Sequence, residues 1–94
     1  MHFLAITRRR TESYAEAQFA EVLGPEAERA RELYAAAVFR EIHSRGDVPG
    51  AVIAVEASDL AAARAAVESL PLARAGMMDV QIVPLLPYRG FAAT

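Results

Sequence analysis

Apolar and polar positions divide the chain into short segments with two different periods. Four apolar runs have the length and composition of strands: His2–Thr7, Val38–Arg45, Ala51–Glu56 and Asp79–Leu85. Between them, apolar residues recur at helical spacing, from Phe19 to Leu33 and over Asp59–Leu70. The order β-α-β-β-α-β is typical of the α+β ferredoxin-like fold, in which a four-stranded antiparallel sheet carries both helices on one face.

Three local signals predict where the helices begin and where one is interrupted. Ser13 and Glu16 have the spacing of a capping box, so a helix should follow them. The pair Gly24-Pro25 predicts a break and then a stronger helix over Pro25–Ala35, because proline is tolerated in the first turn of a helix but not in its interior. Ser58 is expected to cap the later helix.

The apolar content of the strands predicts a second subunit. Phe3–Ile6, Ala51–Val55 and Ile82–Val83 are apolar at odd and even positions alike, whereas a sheet with one wet face alternates. The helices cover one face only, and 54% of the residues are hydrophobic. We therefore expect a homodimer, or a higher assembly of dimers, whose open sheet faces pack together as a dimeric α+β barrel. A different partner on that face is the alternative.

The same reasoning gives the domain organisation. Residues 1–94 should form a single domain, since a second core does not fit in a chain of this length. Residues 84–94 are rich in proline and apolar side chains. We expect them to form an arm that packs on a neighbouring subunit.

Composition excludes several classes of protein. The apolar runs are far shorter than the roughly 20 residues that a membrane span requires. A net charge of −2 argues against a nucleic-acid partner, which needs a basic face. The chain has no cysteine, so a cytoplasmic location is expected. Its two histidines are isolated and no phosphate-binding glycine loop is present, so we expect neither a metal nor a cofactor.

Several motifs resemble those of the muconolactone isomerase family and of its uncharacterised bacterial relatives. In chain order they are Glu32-Leu33, Phe39-Arg40, Arg40-Glu41-Ile42, Pro49-Gly50-Ala51-Val52, Leu70-Pro71-Leu72 and Met78–Leu85. The resemblance covers about residues 26–91. It implies a ferredoxin-like subunit that oligomerises. It also implies a cofactor-independent isomerase or related enzyme, acting on a small lactone or organic acid in a pocket formed on oligomerisation.

One strand carries the candidate catalytic residues. Moving a double bond in a lactone requires a group that carries a proton and a group that stabilises an enolate. On a regular strand, Phe39, Glu41 and His43 point to the same side. We expect His43 and Glu41 to be catalytic and Phe39 to contact the substrate. The alternative is a structural role, because polar side chains on an edge strand discourage unwanted pairing.

Further residues are candidates for binding. Arg40, on the opposite side of a regular strand from His43, is expected to bind a substrate carboxylate, with an ion pair to Glu32 as the alternative. Tyr34 is expected to contact the substrate, with core packing as the alternative. The run Arg8–Arg10, in a loop before the first helix, could gather an anion or could simply be solvated.

Two other functions are compatible with the same sequence. One is a non-catalytic oligomeric module that binds a small molecule. The other is a cofactor-free monooxygenase of the dimeric α+β barrel type, which would need a wider and more aromatic cavity than a chain without tryptophan suggests. A closed pocket that contains His43 and Glu41 favours an enzyme. Exposure of both side chains to water favours a binding or structural role.

Overall fold

A computed structural model describes residues 1–91, and its elements follow the predicted order. The strands are β1 (His2–Arg9), β2 (Phe39–Ser44), β3 (Ala51–Glu56) and β4 (Met78–Leu85). The helices are α1 (Glu16–Ala35), α2 (Leu60–Glu68) and a short α3 (Pro71–Arg74), and Arg89–Phe91 form a 3₁₀ turn. The sheet has the order β2-β3-β1-β4, and each neighbouring pair is antiparallel. The predicted ferredoxin-like fold is therefore confirmed.

The helices cover one face of the sheet and enclose the core. Alternate strand residues, among them Phe3, Ala5, Ile53 and Val55, are buried there against helix residues. The helix residues of this core are Phe19, Leu33, Ala63 and Val67. Burying a Val, Leu, Ile or Phe side chain contributes about 1.5–3 kcal/mol, so the larger members of this core each stabilise the fold.

The opposite face, which we call the open face, is apolar at its centre. Leu4, Ile6, Val52, Ala54 and Val83 lie on it and are half-buried. Apolar residues thus occupy both faces of β1 and β3, as the sequence predicts. In the part of the chain that the structure describes, no helix packs on this face.

Helix α1 is continuous, and the predicted break at Gly24-Pro25 is wrong. Pro25 lies inside the helix and removes the hydrogen bond that its amide would have donated to Glu21. Phe19 and Leu33, on either side of the proline, are both buried in the same core. Packing at both ends holds the helix together across the missing hydrogen bond.

The residues predicted to cap the helices are also wrong, each by one or two positions. The N-cap of α1 is Ala15, whose amide donates to the side chain of Gln18 at 2.7 Å. The N-cap of α2 is Asp59, whose carboxylate accepts from the amide of Ala62 at 2.8 Å. Asp59 thus makes the hydrogen bond expected of Ser58, whereas Gln18, inside α1, makes the hydrogen bond to the N-cap amide that was expected of Glu16.

Helices α1 and α3 end in the same hydrogen-bonded motif. After α1, the amide of Val38 donates to Leu33 at 2.9 Å and the amide of Ala37 to Tyr34 at 3.0 Å. Met77 and Gly76 repeat both hydrogen bonds after α3, at the same two distances. This is the Schellman motif, which requires a left-handed residue. Gly76 has φ 71° there, whereas Ala37 adopts φ 60° with a side chain.

The C-terminal arm begins later than predicted. Strand β4 continues through Leu85, so the arm starts at Leu86, and residues 92–94 of the predicted arm lie outside the described residues. Leu86, Tyr88 and Phe91 are exposed, and the last two rings pack edge to face at 4.9 Å. The arm thus presents apolar side chains to its surroundings.

Candidate functional site

A cavity of about 320 Å³ lies between α1 and the helix-covered face of the sheet. Sites for small ligands usually have volumes from about 300 Å³ upward. Its walls are mostly apolar and include Phe39, Ile42, Ile53 and Leu72, with Thr7, Arg9 and Glu26 as polar or charged members. One chain is sufficient to form this cavity.

One end of the cavity is fixed where the β2–β3 hairpin meets β1. The buried hydroxyl of Thr7 accepts a hydrogen bond from the amide of Ala51 at 2.9 Å. Gly50 passes so close to the carbonyl of Thr7 that a Cβ atom would overlap with it. A glycine is therefore required here, and the close approach holds the two strands in register beside the cavity.

Glu26 is the one carboxylate among the residues that line this cavity. Its Oε1 atom accepts a hydrogen bond from the amide of Leu72, in the first turn of α3, at 2.9 Å. Within residues 1–91, no second hydrogen bond reaches this carboxylate. Burial raises its pKa, and this effect exceeds the opposing effects of the Leu72 amide and of the charge on Arg9. Glu26 therefore titrates closer to neutrality than an exposed glutamate does.

The three successive arginines separate onto two faces. Arg8 and Arg9 belong to β1 and not to a loop, which corrects the prediction for this run. Arg8 contacts Asp79 at 2.6 Å and Glu12 at 3.0 Å, and Arg10 lies 3.8 Å from Asp79. Arg9 instead lines the cavity that contains Glu26. Only the middle arginine is available to a ligand in that cavity.

Sequence reasoning missed Glu26, although helical spacing carries a signal for it. Glu26 follows Leu23 by three residues and precedes Ala30 and Leu33 by four and seven. Residues with these separations share one face of a helix. A carboxylate on the apolar face of an amphipathic helix is costly to bury, so its presence there indicates a candidate catalytic or binding residue.

The predicted catalytic pair lies elsewhere, on the open face of the edge strand β2. His43 Nε2 and Glu41 Oε1 are 3.2 Å apart, so the two side chains do contact each other. Their side chains are 69% and 71% exposed in the single chain. Water screens a pair with this exposure, so it becomes a proton-transfer site only when another surface covers it.

A β-bulge in β2 makes one prediction from strand alternation wrong. Phe39 pairs with Val55 and Glu41 pairs with Ala54, so Arg40 is an extra residue between two consecutive partners. Alternation is therefore reset, and Phe39 is fully buried on the helix-covered face while Glu41 and His43 lie on the open face. Phe39 lines the cavity with Glu26 and does not share a pocket with His43.

The two remaining candidate binding residues lie outside the cavity. Arg40 is exposed, and its charge contributes to lowering the pKa of Glu56. Its predicted ion pair with Glu32 is wrong, because Glu32 pairs with Arg29 at 3.2 Å. Tyr34 is 60% exposed near the end of α1.

His2 and His43 share the open face but not a pocket. His2 pairs with Glu56 and His43 pairs with Val52, four residues apart along β3, or about 13 Å at strand spacing. His2 Nδ1 lies 2.7 Å from Glu56. A hydrogen bond from the N-terminal amine, the charge of His2 and that of Arg40 lower the pKa of Glu56.

Residues 1–91 contain no group of three or more metal-ligating side chains that could hold an ion. Among the same residues, no helix is both long enough and apolar enough to cross a membrane.

Comparison with known proteins supports the fold. No protein-family model matches this chain, and neither does any curated protein sequence. Among solved structures, the fold is similar to the crystal structure of muconolactone isomerase, with a TM-score of 0.78. That match covers 100% of this chain and 97% of the other, at 16% sequence identity. The resemblance seen in the sequence is therefore confirmed for the fold, and at this identity the likeness extends to the fold alone.

Proposed function

We propose that this protein is a cofactor-independent isomerase, or a related proton-transferring enzyme, acting on a small lactone or organic acid in the cavity beneath α1. The observation that carries the proposal is Glu26, a carboxyl with a raised pKa in a mostly apolar cavity. Such a group can accept a proton and return it, and its raised pKa makes it a stronger base than an exposed glutamate. The shared fold with muconolactone isomerase is consistent with this chemistry.

The proposed reaction uses two charged side chains. Glu26 takes a proton from a carbon beside a carbonyl group. The electron pair of the broken C–H bond forms a C=C bond to the carbonyl carbon, and the π pair of the carbonyl group moves onto its oxygen. Arg9, in the same cavity, stabilises the negative oxygen of the resulting enolate. Where the deprotonated carbon is also bonded to a C=C double bond, Glu26 then returns the proton to the far carbon of that double bond, and the C=C bond moves one position along the chain. The hydrogen bond from Leu72 fixes one carboxylate oxygen while the reaction proceeds.

Proton transfer is measurable without knowing the product. Muconolactone incubated with the protein in deuterated water should exchange a hydrogen for deuterium, which NMR detects. E26Q should abolish the exchange, because an amide can still accept from Leu72 but cannot carry the proton. E28Q, at an exposed glutamate two residues later, is the matched control and should leave it unchanged. Full exchange by E26Q would refute the role of Glu26.

The contact between His43 and Glu41 favours a second candidate site. Here the pair carries the proton, and a second subunit on the open face excludes the water. H43A would then abolish deuterium exchange while E26Q retains it, the reverse of the outcome for the cavity beneath α1. If the protein binds small acids but exchanges no hydrogen at all, it is a non-catalytic binding module.

Self-association through the open face is part of the proposal. The half-buried apolar centre of that face supports it, because a second copy would remove these side chains from water. Analytical ultracentrifugation should find a dimer or larger assembly, and V52E should dissociate it by placing a charge in the interface. A wild-type monomer at micromolar concentration would contradict this. The lack of cysteine supports a cytoplasmic location for the assembly.

A further inference from the structure

A second cavity, which we call the outer groove, lies beside the one that contains Glu26. Its volume is about 490 Å³, and its apolar walls include Tyr14, Phe19 and Pro49. The rings of Tyr14 and Phe19 pack edge to face, with centroids 6.1 Å apart. Arg9 and Leu23 line both cavities, so the two meet at these side chains.

Arg9 has a free guanidinium at this junction. Within residues 1–91, its side chain makes no hydrogen bond and has no carboxylate within 4.0 Å, whereas Asp79 contacts both neighbouring arginines. Its Cζ atom lies 5.8 Å from the centroid of the Phe19 ring, which holds the guanidinium beside the aromatic wall. An unpaired planar cation between two mostly apolar cavities is suited to binding a carboxylate with two parallel hydrogen bonds.

The charges of both cavities restrict the ligand further. Glu26 lines the inner cavity and Glu16 lines the outer groove. These carboxylates disfavour a ligand with two or more negative charges, such as a phosphate ester, because only one arginine lies between them. A monoanion with an apolar body fits the arrangement.

We propose that Arg9 is the specificity-determining residue and that the ligand is an aryl-substituted monocarboxylic acid. Arg9 binds the carboxylate, so with this ligand the oxygen that Arg9 stabilises in the proposed reaction is a carboxylate oxygen. The aromatic ring lies in the outer groove against Phe19 and Tyr14. The carbon that exchanges its proton then enters the inner cavity, beside Glu26. This assignment rests on the proposed function for the reacting cavity, but the binding that it predicts needs no turnover.

Calorimetric titration with three matched probes tests the assignment. 3-Phenylpropanoate has both the ring and the charge, 3-phenylpropanamide lacks the charge, and butanoate lacks the ring. Because a hydrogen bond to a charged group is lost, we expect the amide to bind about 10- to 100-fold more weakly than the aryl acid. Butanoate should also bind more weakly. Equal binding of the acid and the amide would overturn the proposal.

Variants then assign the effect to Arg9. R9Q should lose the preference for acid over amide, while R10Q, at the adjacent arginine that lies near Asp79, should keep it. R9K is the second variant in case R9Q does not fold, and it should bind the acid with intermediate affinity because lysine lacks the planar fork. In NMR spectra, the Nε–H signal of Arg9 should shift with the acid and not with the amide. An unchanged preference in a folded R9Q or R9K variant refutes the assignment.

This experiment separates the two proposals. If aryl acids bind through Arg9 but no hydrogen exchanges, the proposed isomerase function fails and the binding assignment stands. If muconolactone exchanges its hydrogen but aryl acids bind no better than butanoate, the aryl-acid assignment fails and the proposed function stands.

Discussion

The two Schellman motifs provide a controlled test of backbone strain, because they differ at the residue that is left-handed. Ala37 follows α1 and Gly76 follows α3, and both positions have the same pair of hydrogen bonds. A Cβ atom at Gly76 would meet no atom within 4 Å. Exchanging the two residue types, as A37G and G76A, therefore changes conformational preference at Gly76 without a steric clash.

The magnitude follows from two opposing terms. The left-handed conformation costs a residue with a side chain roughly 1–2 kcal/mol, whereas glycine loses about 0.5–1 kcal/mol more in chain entropy on folding. We therefore expect A37G to raise the free energy of unfolding by about 0.5–1 kcal/mol and G76A to lower it by about the same amount. For a chain of this length, the melting temperature should change by roughly 2–6 °C.

Urea denaturation followed by circular dichroism measures both effects. All variants are compared at one subunit concentration, since association would add to apparent stability. The double variant should return close to the wild type, because changes at separate sites add. Destabilisation by A37G, or a stable G76A, would show that the hydrogen bonds and not the left-handed residue dominate these helix ends.

Two further predictions concern the stability of the protein: its loss when the cavity residue Phe39 is truncated, and its dependence on pH. F39A should lose about 3–5 kcal/mol of stability in urea denaturation, whereas F91A, 85% exposed, should change it by less than about 0.5 kcal/mol; equal effects contradict this. Burial raises the pKa of Glu26, so stability from its protonated form is present below pH 4.5 and is lost as the pH rises through the folded pKa. A hydrogen bond from Arg8 lowers the pKa of Glu12 to about 2, so its contribution is present above pH 4.5 and is lost as the pH falls towards 2. When the free energy of unfolding is measured against pH, E26Q should remove the pH dependence above 4.5 and E12Q the dependence below 4.5. If both variants remove the dependence in the same pH range, the assignment is refuted.

The sequence predicts the sheet well because alternation is a local property. The strands β1 and β3 are regular, so apolar residues at both parities correctly indicate two apolar faces. Strand β2 departs at Arg40, where one extra residue resets the alternation. Nothing in a single sequence of six strand residues distinguishes such a bulge from a regular strand. The prediction that Phe39 shares a side with Glu41 and His43 is therefore wrong.

The site was harder to predict because its contacts are distant in sequence. Glu26 and Leu72 are 46 residues apart, and their hydrogen bond forms only when α1 packs beside α3. The continuity of α1 through Pro25 depends on the same packing. Local rules treat a proline in a helix as a break and a glutamate as a solvated charge. Tertiary contacts instead keep α1 continuous through the exposed Pro25 and leave Glu26 half-buried beside the cavity.

The bulge at Arg40 has a consequence for how this protein can evolve. It places Phe39 and Glu41, two residues apart, on opposite faces, with Phe39 facing the cavity and Glu41 and His43 facing the region where a second copy is proposed to bind. Substitutions that alter ligand preference and substitutions that alter assembly therefore fall on different residues of the same strand. Deleting Arg40 would restore regular pairing without moving the residues that follow it. Selection can thus change the cavity wall without changing the open face, or the open face without changing the cavity wall.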